Sequence, residues 1–317
     1  IRYNQTGTKQ KAEGYAMKAI ENKIKEIAAR LLQSGEVNIF LAWEKGDYEY
    51  QSKPYFARSV DEVDKIVFDQ YCIHNLSNSL LKFRDSSDKI GLVVKGCDSR
   101  GIVRLLQDNQ IERSRLYIVG VACPGMKDPL LAMKNHSGLF KAETEPEVAA
   151  KCQTCRYPNP VIYDELLGDE QTPRPQDTRY AQVDAIEQMT ADERYKFFED
   201  TLSKCIRCYA CRQACVACNC RLCIFDEMRP QWVGRETSLS DNMMYHLVRA
   251  SHMAGRCIEC GECERVCPVN IPLMLINRKL IKDVDKFFGP YDAGIKYEEG
   301  SKPPLSLYQE NDPDNFI

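Results

Sequence analysis

No stretch of this chain has the apolar length of a membrane span, which needs roughly 20 consecutive residues; the longest runs are residues 90–94 and 116–122. Charge of one sign is also missing. Lys and Arg number 43 against 46 Asp and Glu, a net charge of −3, which gives no field to recruit nucleic acid or an anionic membrane. There is no Gly-x-Gly-x-x-Gly and no glycine-rich loop ending in Lys-Ser/Thr, so neither a Rossmann-type NAD or FAD site nor a P-loop is supported. Histidine is scarce: His74, His136, His246 and His252 show no mutual spacing that suggests a site, and no nucleophile–base pairing is visible. The first residues, Ile-Arg-Tyr-Asn-Gln, lack the apolar core of a signal peptide, although the absence of an initiator Met leaves a trimmed start open.

What the chain has in quantity is cysteine, 16 in 317 residues. A 44% hydrophobic, 28% charged chain of this length has room for two domains with their own cores, so it does not need a disulfide framework. The cysteines point to metal ligation in a reducing, anaerobic cytoplasm. Their spacing supports this. Cys205-Ile-Arg-Cys208-Tyr-Ala-Cys211-Arg-Gln-Ala-Cys215 and Cys257-Ile-Glu-Cys260-Gly-Glu-Cys263-Glu-Arg-Val-Cys267-Pro268 are two copies of the C-x2-C-x2-C-x3-C run that holds cubane clusters in bacterial ferredoxins. Three thiolates of each run wrap one cluster and the fourth crosses to the other. One [4Fe-4S] cluster is therefore assigned to Cys205, Cys208, Cys211 and Cys267, and a second to Cys257, Cys260, Cys263 and Cys215. Structural zinc wants four ligands from two separated pairs and has no use for this doubled run. Between the runs lie Cys218, Cys220 and Cys223. They read either as part of a further metal site or as thiols packed around the first cluster, and Cys218 is an alternative to Cys215 as ligand. Cys72 reads as a core residue.

Residues 11–33 read as an amphipathic helix, with Ala16, Ile20, Ile24, Ile27, Ala28 and Leu31 at helical spacing and Ser34-Gly35 ending it. Strands are predicted at 37–43 and 48–51 around a Lys45-Gly46-Asp47 turn, and helical segments at 61–69 and 75–83. Residues 90–95 are a buried strand, followed by the loop Gly96-Cys97-Asp98-Ser99 and a helix from Gly101 to Gln107. Residues 116–121 are the next buried strand. Strand, loop, helix, strand is a parallel crossover unit, so residues 1–168 are expected to form an α/β domain. The polar, proline-containing stretch 169–185 is the expected linker. Residues 186–288 are expected to be a mainly α-helical dicluster ferredoxin domain. There a capping box at Thr190 and Glu193 starts the helix that delivers Cys205. Residues 242–254, with Met243, Met244, Leu247 and Val248 as the apolar stripe, deliver Cys257. Residues 289–317 read as an extended tail.

Cys97 and Cys123 fall just past the carboxyl ends of the two buried strands, where open α/β sheets place ligands. Together with Cys152-x-x-Cys155 they make four thiolates, enough for a third [4Fe-4S] site. The alternative is that Cys97 and Cys123 are buried thiols acting as small apolar side chains. Asp98 and Ser99 are placed to cap the following helix, whose N-terminal amides favour an anionic cluster.

Gly96-Cys97 after a strand, Val119-Gly120-Val121-Ala122-Cys123, Cys152-x-x-Cys155 and Tyr163-Asp164-x-x-x-Gly168 together resemble the beta subunit of deazaflavin (coenzyme F420)-reducing hydrogenases. That family includes the matching subunit of F420-dependent formate dehydrogenases. The resemblance covers residues 35–168. It implies one [4Fe-4S] cluster on this domain, usually FAD, and passage of electrons between deazaflavin and the rest of a complex. Lys95-Gly96 stands where the family has Pro before the Cys, and Cys97-Asp98-Ser99-Arg100 looks closer to electron-input subunits of heterodisulfide-reductase-linked and sulfur-reducing complexes. Residues 186–288 resemble the α-helical ferredoxin domain of succinate dehydrogenase and heterodisulfide reductase iron–sulfur subunits. Val216 replaces the usual Pro of the first run and is expected to alter only the local turn.

The expectation is an iron–sulfur electron-transfer subunit of a multi-subunit cytoplasmic oxidoreductase. It would relay single electrons between a hydrogenase, formate dehydrogenase or similar partner and a flavoprotein or heterodisulfide-reductase-like one. The alternative is a FAD-containing subunit that exchanges hydride with F420 or NAD(P)H.

Overall fold

The apolar runs of the first half become one sheet. The computed structural model describes residues 5–136, 148–298 and 304–306, so residues 299–303 and 307–317 of the expected tail lie outside the described residues. The chain divides into two compact units, Ile1–Ile102 with Ile111–Arg174, and Val103–Gln110 with Pro175–Ile317.

In the first unit, helix α1 (Gln5–Ser34) buries Ile24, Ile27, Ala28 and Leu31, one stripe at helical spacing. It is followed by strands β1 (Ile39–Lys45), β2 (Ser52–Ala57), β3 (Ile66–Val67) and β4 (Ile90–Val94), helix α2 (Gly96–Gln107), strand β5 (Leu116–Val121), helices α3 (Pro129–His136) and α4 (Ala150–Gln153), and strand β6 (Glu165–Leu167). The sheet order is β2-β1-β4-β5-β6, with β3 paired to β1. β1, β4, β5 and β6 run parallel, and β2 pairs antiparallel at the edge. β4 is buried along its whole length, as parallel strands covered on both faces are. Both β4 and β5 end just before a cysteine, Cys97 and Cys123.

Three local readings of the sequence change. The second strand is 52–57, not 48–51: Gly46 N–H donates to Gln51 O (3.0 Å) and Gln51 N–H to Tyr48 O (2.9 Å), which closes a longer turn. Pro54, absent from sheet interiors because it has no N–H, is accommodated because β2 is an edge strand. The segments at 61–69 and 75–83 are tighter 3₁₀ turns, Val60–Lys65 and Ser77–Phe83. The residues Gly96-Cys97-Asp98-Ser99 are not a loop but the first turn of α2. The buried Asp98 carboxylate accepts from Lys95 N–H (2.9 Å) and Leu76 N–H (2.5 Å), and the Ser99 hydroxyl donates to Gly96 O (2.8 Å). The capping groups thus act from inside the helix.

The second unit is helical: α5 (Ala181–Glu187), α6 (Ala191–Leu202), α7 (Ala210–Gln213), α8 (Leu239–Ser251), α9 (Glu262–Arg265) and α10 (Leu273–Phe288). The capping box of α6 is formed by Thr190 and Glu193. α8 packs half of its expected apolar stripe, Met243 and Val248, against the core of this unit. Met244 and Leu247 are exposed, whereas Asn242, Tyr245, His246, Arg249 and Ala250 are buried. The physical reason is what faces the helix, since the cysteine loops present carbonyl oxygens and sulfurs and call for donors.

Candidate metal centres

The two ferredoxin-type runs fold into the same loop twice. In the first, Arg207 (φ 54°) and Tyr209 (φ 59°) are left-handed; in the second, Glu259 (φ 57°) and Gly261 (φ 69°) occupy the matching places. A non-glycine residue in this region costs roughly 1–2 kcal/mol, so three such residues in two short loops mark a backbone held for a purpose. Each loop turns a backbone N–H onto the sulfur of its first cysteine, an arrangement suited to an anion. Arg207 N–H reaches Cys205 Sγ at 3.4 Å, and Glu259 N–H does the same for Cys257. After the last cysteine of each run, Cys218 N–H donates to Cys215 O (3.0 Å) and Asn270 N–H to Cys267 O (3.2 Å). The turn is retained where Val216 replaces Pro. Short helices α7 and α9 then carry Cys211 and Cys263 inward.

The eight cysteines of the two runs lie close to one another. Cys205 lies in the electrostatic neighbourhood of Cys211 and Cys208. Cys257 neighbours Cys215 and Cys260, and Cys263 neighbours Cys215 and Cys257, so Cys215 crosses to the second run. Cys205, Cys211 and Cys263 are buried in one apolar cluster with Phe225, Tyr245, Leu273 and Met274, and Cys267 packs against it. Cys208 is exposed. Hydrogen bonds converge on the sulfurs: Ile271 N–H on Cys267 (3.3 Å), Asn277 Nδ2 on Cys263 (3.6 Å), and the Tyr245 hydroxyl with Cys211 (3.3 Å). Burial pushes the Cys257 thiol up to about 12 and raises Cys263 and Cys205. Buried thiols of this kind release their protons when a metal takes them. All sixteen cysteines are free.

The trio between the runs does not stay together. Cys218 donates its S–H to Cys215, which makes Cys215 the more acidic of the pair. Cys220 is exposed, and Cys223 packs on the apolar cluster beside Arg212. Among the described residues no three His, Cys, Asp or Glu side chains converge closely enough to hold a single metal ion. Cys72 is fully buried in the first unit, with Asp69 N–H on its sulfur at 3.3 Å.

In the first unit, Cys97, Cys123, Cys152 and Cys155 line one cavity of about 240 Å³. The chain is shaped to bring them there. A Cβ on Gly96 would press on backbone atoms of Tyr157 and Asn159, so only glycine lets the start of α2 approach the strand of chain after Cys155. Gly125 (φ +106°) brings the Cys123 loop close to Cys152. Cys123 N–H donates to Pro158 O (3.0 Å) and Arg174 N–H to Cys155 O (3.0 Å). Backbone N–H groups of Gly125 and Tyr157 reach the sulfurs of Cys123 and Cys155. Burial pushes Cys123 up to about 12 and raises Cys97 and Cys155. Two lysines that the spacing argument missed line the same cavity. Lys95 is buried against Asp98 (2.9 Å) and over the Trp43 ring (3.9 Å), and Lys151 donates to Ile73 O (2.8 Å). Four thiols, two inward amides and the Lys151 ammonium, with Lys95 held in its ion pair with Asp98, fit a cluster whose overall charge with four thiolates is negative.

Residues 204–272 match the model of the 4Fe-4S dicluster domain, and that domain holds two [4Fe-4S] clusters. The chain is also similar along most of its length to two curated proteins. The F420-dependent formate dehydrogenase subunit beta of Methanocaldococcus jannaschii is 23% identical, over 87% of this chain and 91% of the relative. The F420-dependent formate dehydrogenase 1 subunit beta of Methanococcus maripaludis is 25% identical, over 84% of this chain and 89% of the relative.

Proposed function

We propose that this chain is an electron-transfer subunit of a multi-subunit cytoplasmic oxidoreductase, carrying single electrons through three [4Fe-4S] clusters. The ligand sets are Cys205, Cys208, Cys211 and Cys267; Cys257, Cys260, Cys263 and Cys215; and Cys97, Cys123, Cys152 and Cys155. The observation that carries the reading is the convergence of four cysteines from three separated segments on one cavity, in a chain that also holds a dicluster domain. When bound, each cluster supplies one-electron storage at a potential set by burial, charge and hydrogen bonds to sulfur. The protein's part is to hold the thiolates and donate N–H groups to them, with Cys205, Cys211 and Cys263 buried and Cys208 exposed. Similarity to formate dehydrogenase beta subunits supports a formate dehydrogenase as the catalytic partner, ahead of a hydrogenase or a heterodisulfide-reductase-like protein.

The test is iron, acid-labile sulfide, zinc and flavin content of the anaerobically purified full chain. About twelve irons per chain is the expected result; about eight removes the site in the first unit. Stoichiometric FAD, with reduction by reduced F420 or NAD(P)H, would replace the relay reading with that of a hydride-exchanging subunit. Zinc in place of iron would overturn both.

A further inference from the structure

Helix α8 brings the two ferredoxin-type sites against one side chain. Tyr245 and Arg249 lie one turn apart on the buried face of α8, about 6 Å along its axis. Met253 follows at the same spacing in the turn that leaves the helix, buried, with its Sδ 3.7 Å from Cys215 Sγ. The Tyr245 hydroxyl meets Cys211 of the first set, so this face touches one site at Tyr245 and the other at Met253. Arg249 lies between them. It is 3% exposed and its Nη2 donates to Cys211 O at 3.0 Å. Its Nε is buried with no partner, and no described ion pair includes it. A buried guanidinium without a carboxylate is costly unless other negative charge faces it. The groups that face it are Cys211, whose carbonyl it bonds, and Cys215 and Cys263, which together belong to both proposed ligand sets, with Cys218 beside them.

We infer that Arg249 is a fixed positive charge shared by the two ferredoxin-type clusters, raising the reduction potential of both. The inference rests on the ligand sets proposed above. Each reduction adds one electron from an external donor, dithionite in the test, and one unit of negative charge, with no bond made or broken. A nearby cation favours the form with the extra charge. Arg249 is a positioning residue in this sense: it acts on the electron through the cluster environment.

The experiment is a redox titration of the full chain, anaerobically purified and reconstituted, followed by electron paramagnetic resonance and visible bleaching, in wild type, R249Q, R249M and R249K. At a fixed ambient potential, R249Q and R249M are expected to show at least a tenfold lower ratio of reduced to oxidised cluster, a 59 mV lower midpoint for a one-electron couple. R249K keeps the charge and is expected to stay within about twofold of wild type. R249Q or R249M with full iron and unmoved midpoints overturns the inference. If both lose iron, R249K decides, because a tenfold fall with the charge retained also overturns it. A wild-type chain lacking about eight irons would sink the cluster reading itself, whereas full iron with unmoved midpoints removes only the role of Arg249.

Discussion

Replacing Gly96 by Ala tests the third site at its tightest joint. The added Cβ would stand 2.8 Å from the carbonyl carbon of Tyr157, closer still to its oxygen, and 3.0 Å from Asn159 O. All are backbone atoms, so no rotamer change relieves them. Either the start of α2 or the 157–159 segment must move; the first carries Cys97, and the second anchors Cys123, whose N–H is tied to Pro158 O, while Val161 N–H is tied to Ser99 Oγ (3.0 Å). Overpacking of a filled site costs about 1–3 kcal/mol, and a clash with backbone on every side belongs at the upper end, about 3 kcal/mol. The expected result is a fall from about twelve to about eight irons per chain, with the spectra of the ferredoxin-type clusters retained. A denaturant midpoint lowered by an amount equivalent to about 3 kcal/mol accompanies it. G35A is the control: Gly35 sits at φ 72° with nothing within 4 Å of its Cβ position, so it costs about 1 kcal/mol and no iron. G96A with twelve irons and an unchanged midpoint would refute the argument that close approach at Gly96 assembles this site.

Other outcomes follow from named contacts. In the second unit Asp108 accepts from Arg256 Nη2 (2.8 Å), Asn219 Nδ2 (2.7 Å) and Arg104, tying down the residues beside Cys257 and Cys218. D108N is expected to cost about 3 kcal/mol by leaving buried cations unpaired, read as the urea midpoint at pH 7; no change there would sink it. Burial raises the Asp108 pKa, but Arg104 and Arg256 outweigh it and hold the carboxyl below its usual value of 3.8. Its contribution is therefore present above about pH 4 and lost as pH falls through the lowered folded value, so the gap between wild type and D108N closes in strong acid. G261A introduces a side chain at φ 69° and costs roughly 1–2 kcal/mol. Because Tyr209 fills the matching place of the first loop at φ 59°, the variant is expected to keep both ferredoxin-type clusters, and loss of four irons would contradict the equivalence of the loops.

The doubled cysteine run was legible because cluster ligation imposes a spacing that survives any surrounding sequence. The same holds for β4 and β5, whose unbroken apolar runs report burial on two faces. Residues 48–57 were harder, because Gly46 and Asp47 announce a turn but not its length, and Pro54 argues against a strand unless the strand is known to lie at an edge. β6, three residues long and only partly buried, leaves too short a pattern to read. Gly96 gave a misleading cue. Glycine commonly ends or interrupts regular structure, yet here its missing side chain is needed because Tyr157 passes against the first turn of a helix.

α8, which packs Met243 and Val248 on the core but leaves Met244 and Leu247 exposed, shows what composition alone leaves out. Periodicity arguments assume that the buried side of a helix is the apolar side, and Met243, Met244, Leu247 and Val248 made a plausible stripe. That assumption holds when the neighbour is a hydrocarbon core. Against loops that present thiols and backbone carbonyls, the favourable neighbours are donors and cations, and the polar series Asn242, Tyr245, Arg249 turns inward while Met244 and Leu247 face out. Asn242 Nδ2 satisfies Cys205 O (2.9 Å) just as Arg249 satisfies Cys211 O, so the helix reads the two ends of the first loop through its polar face. A helix between two cysteine runs should therefore be scanned for donors at i, i+3, i+4 and i+7 before its apolar residues are assigned to the inside. In this chain that scan selects Asn242, Tyr245, His246 and Arg249, each of which is buried.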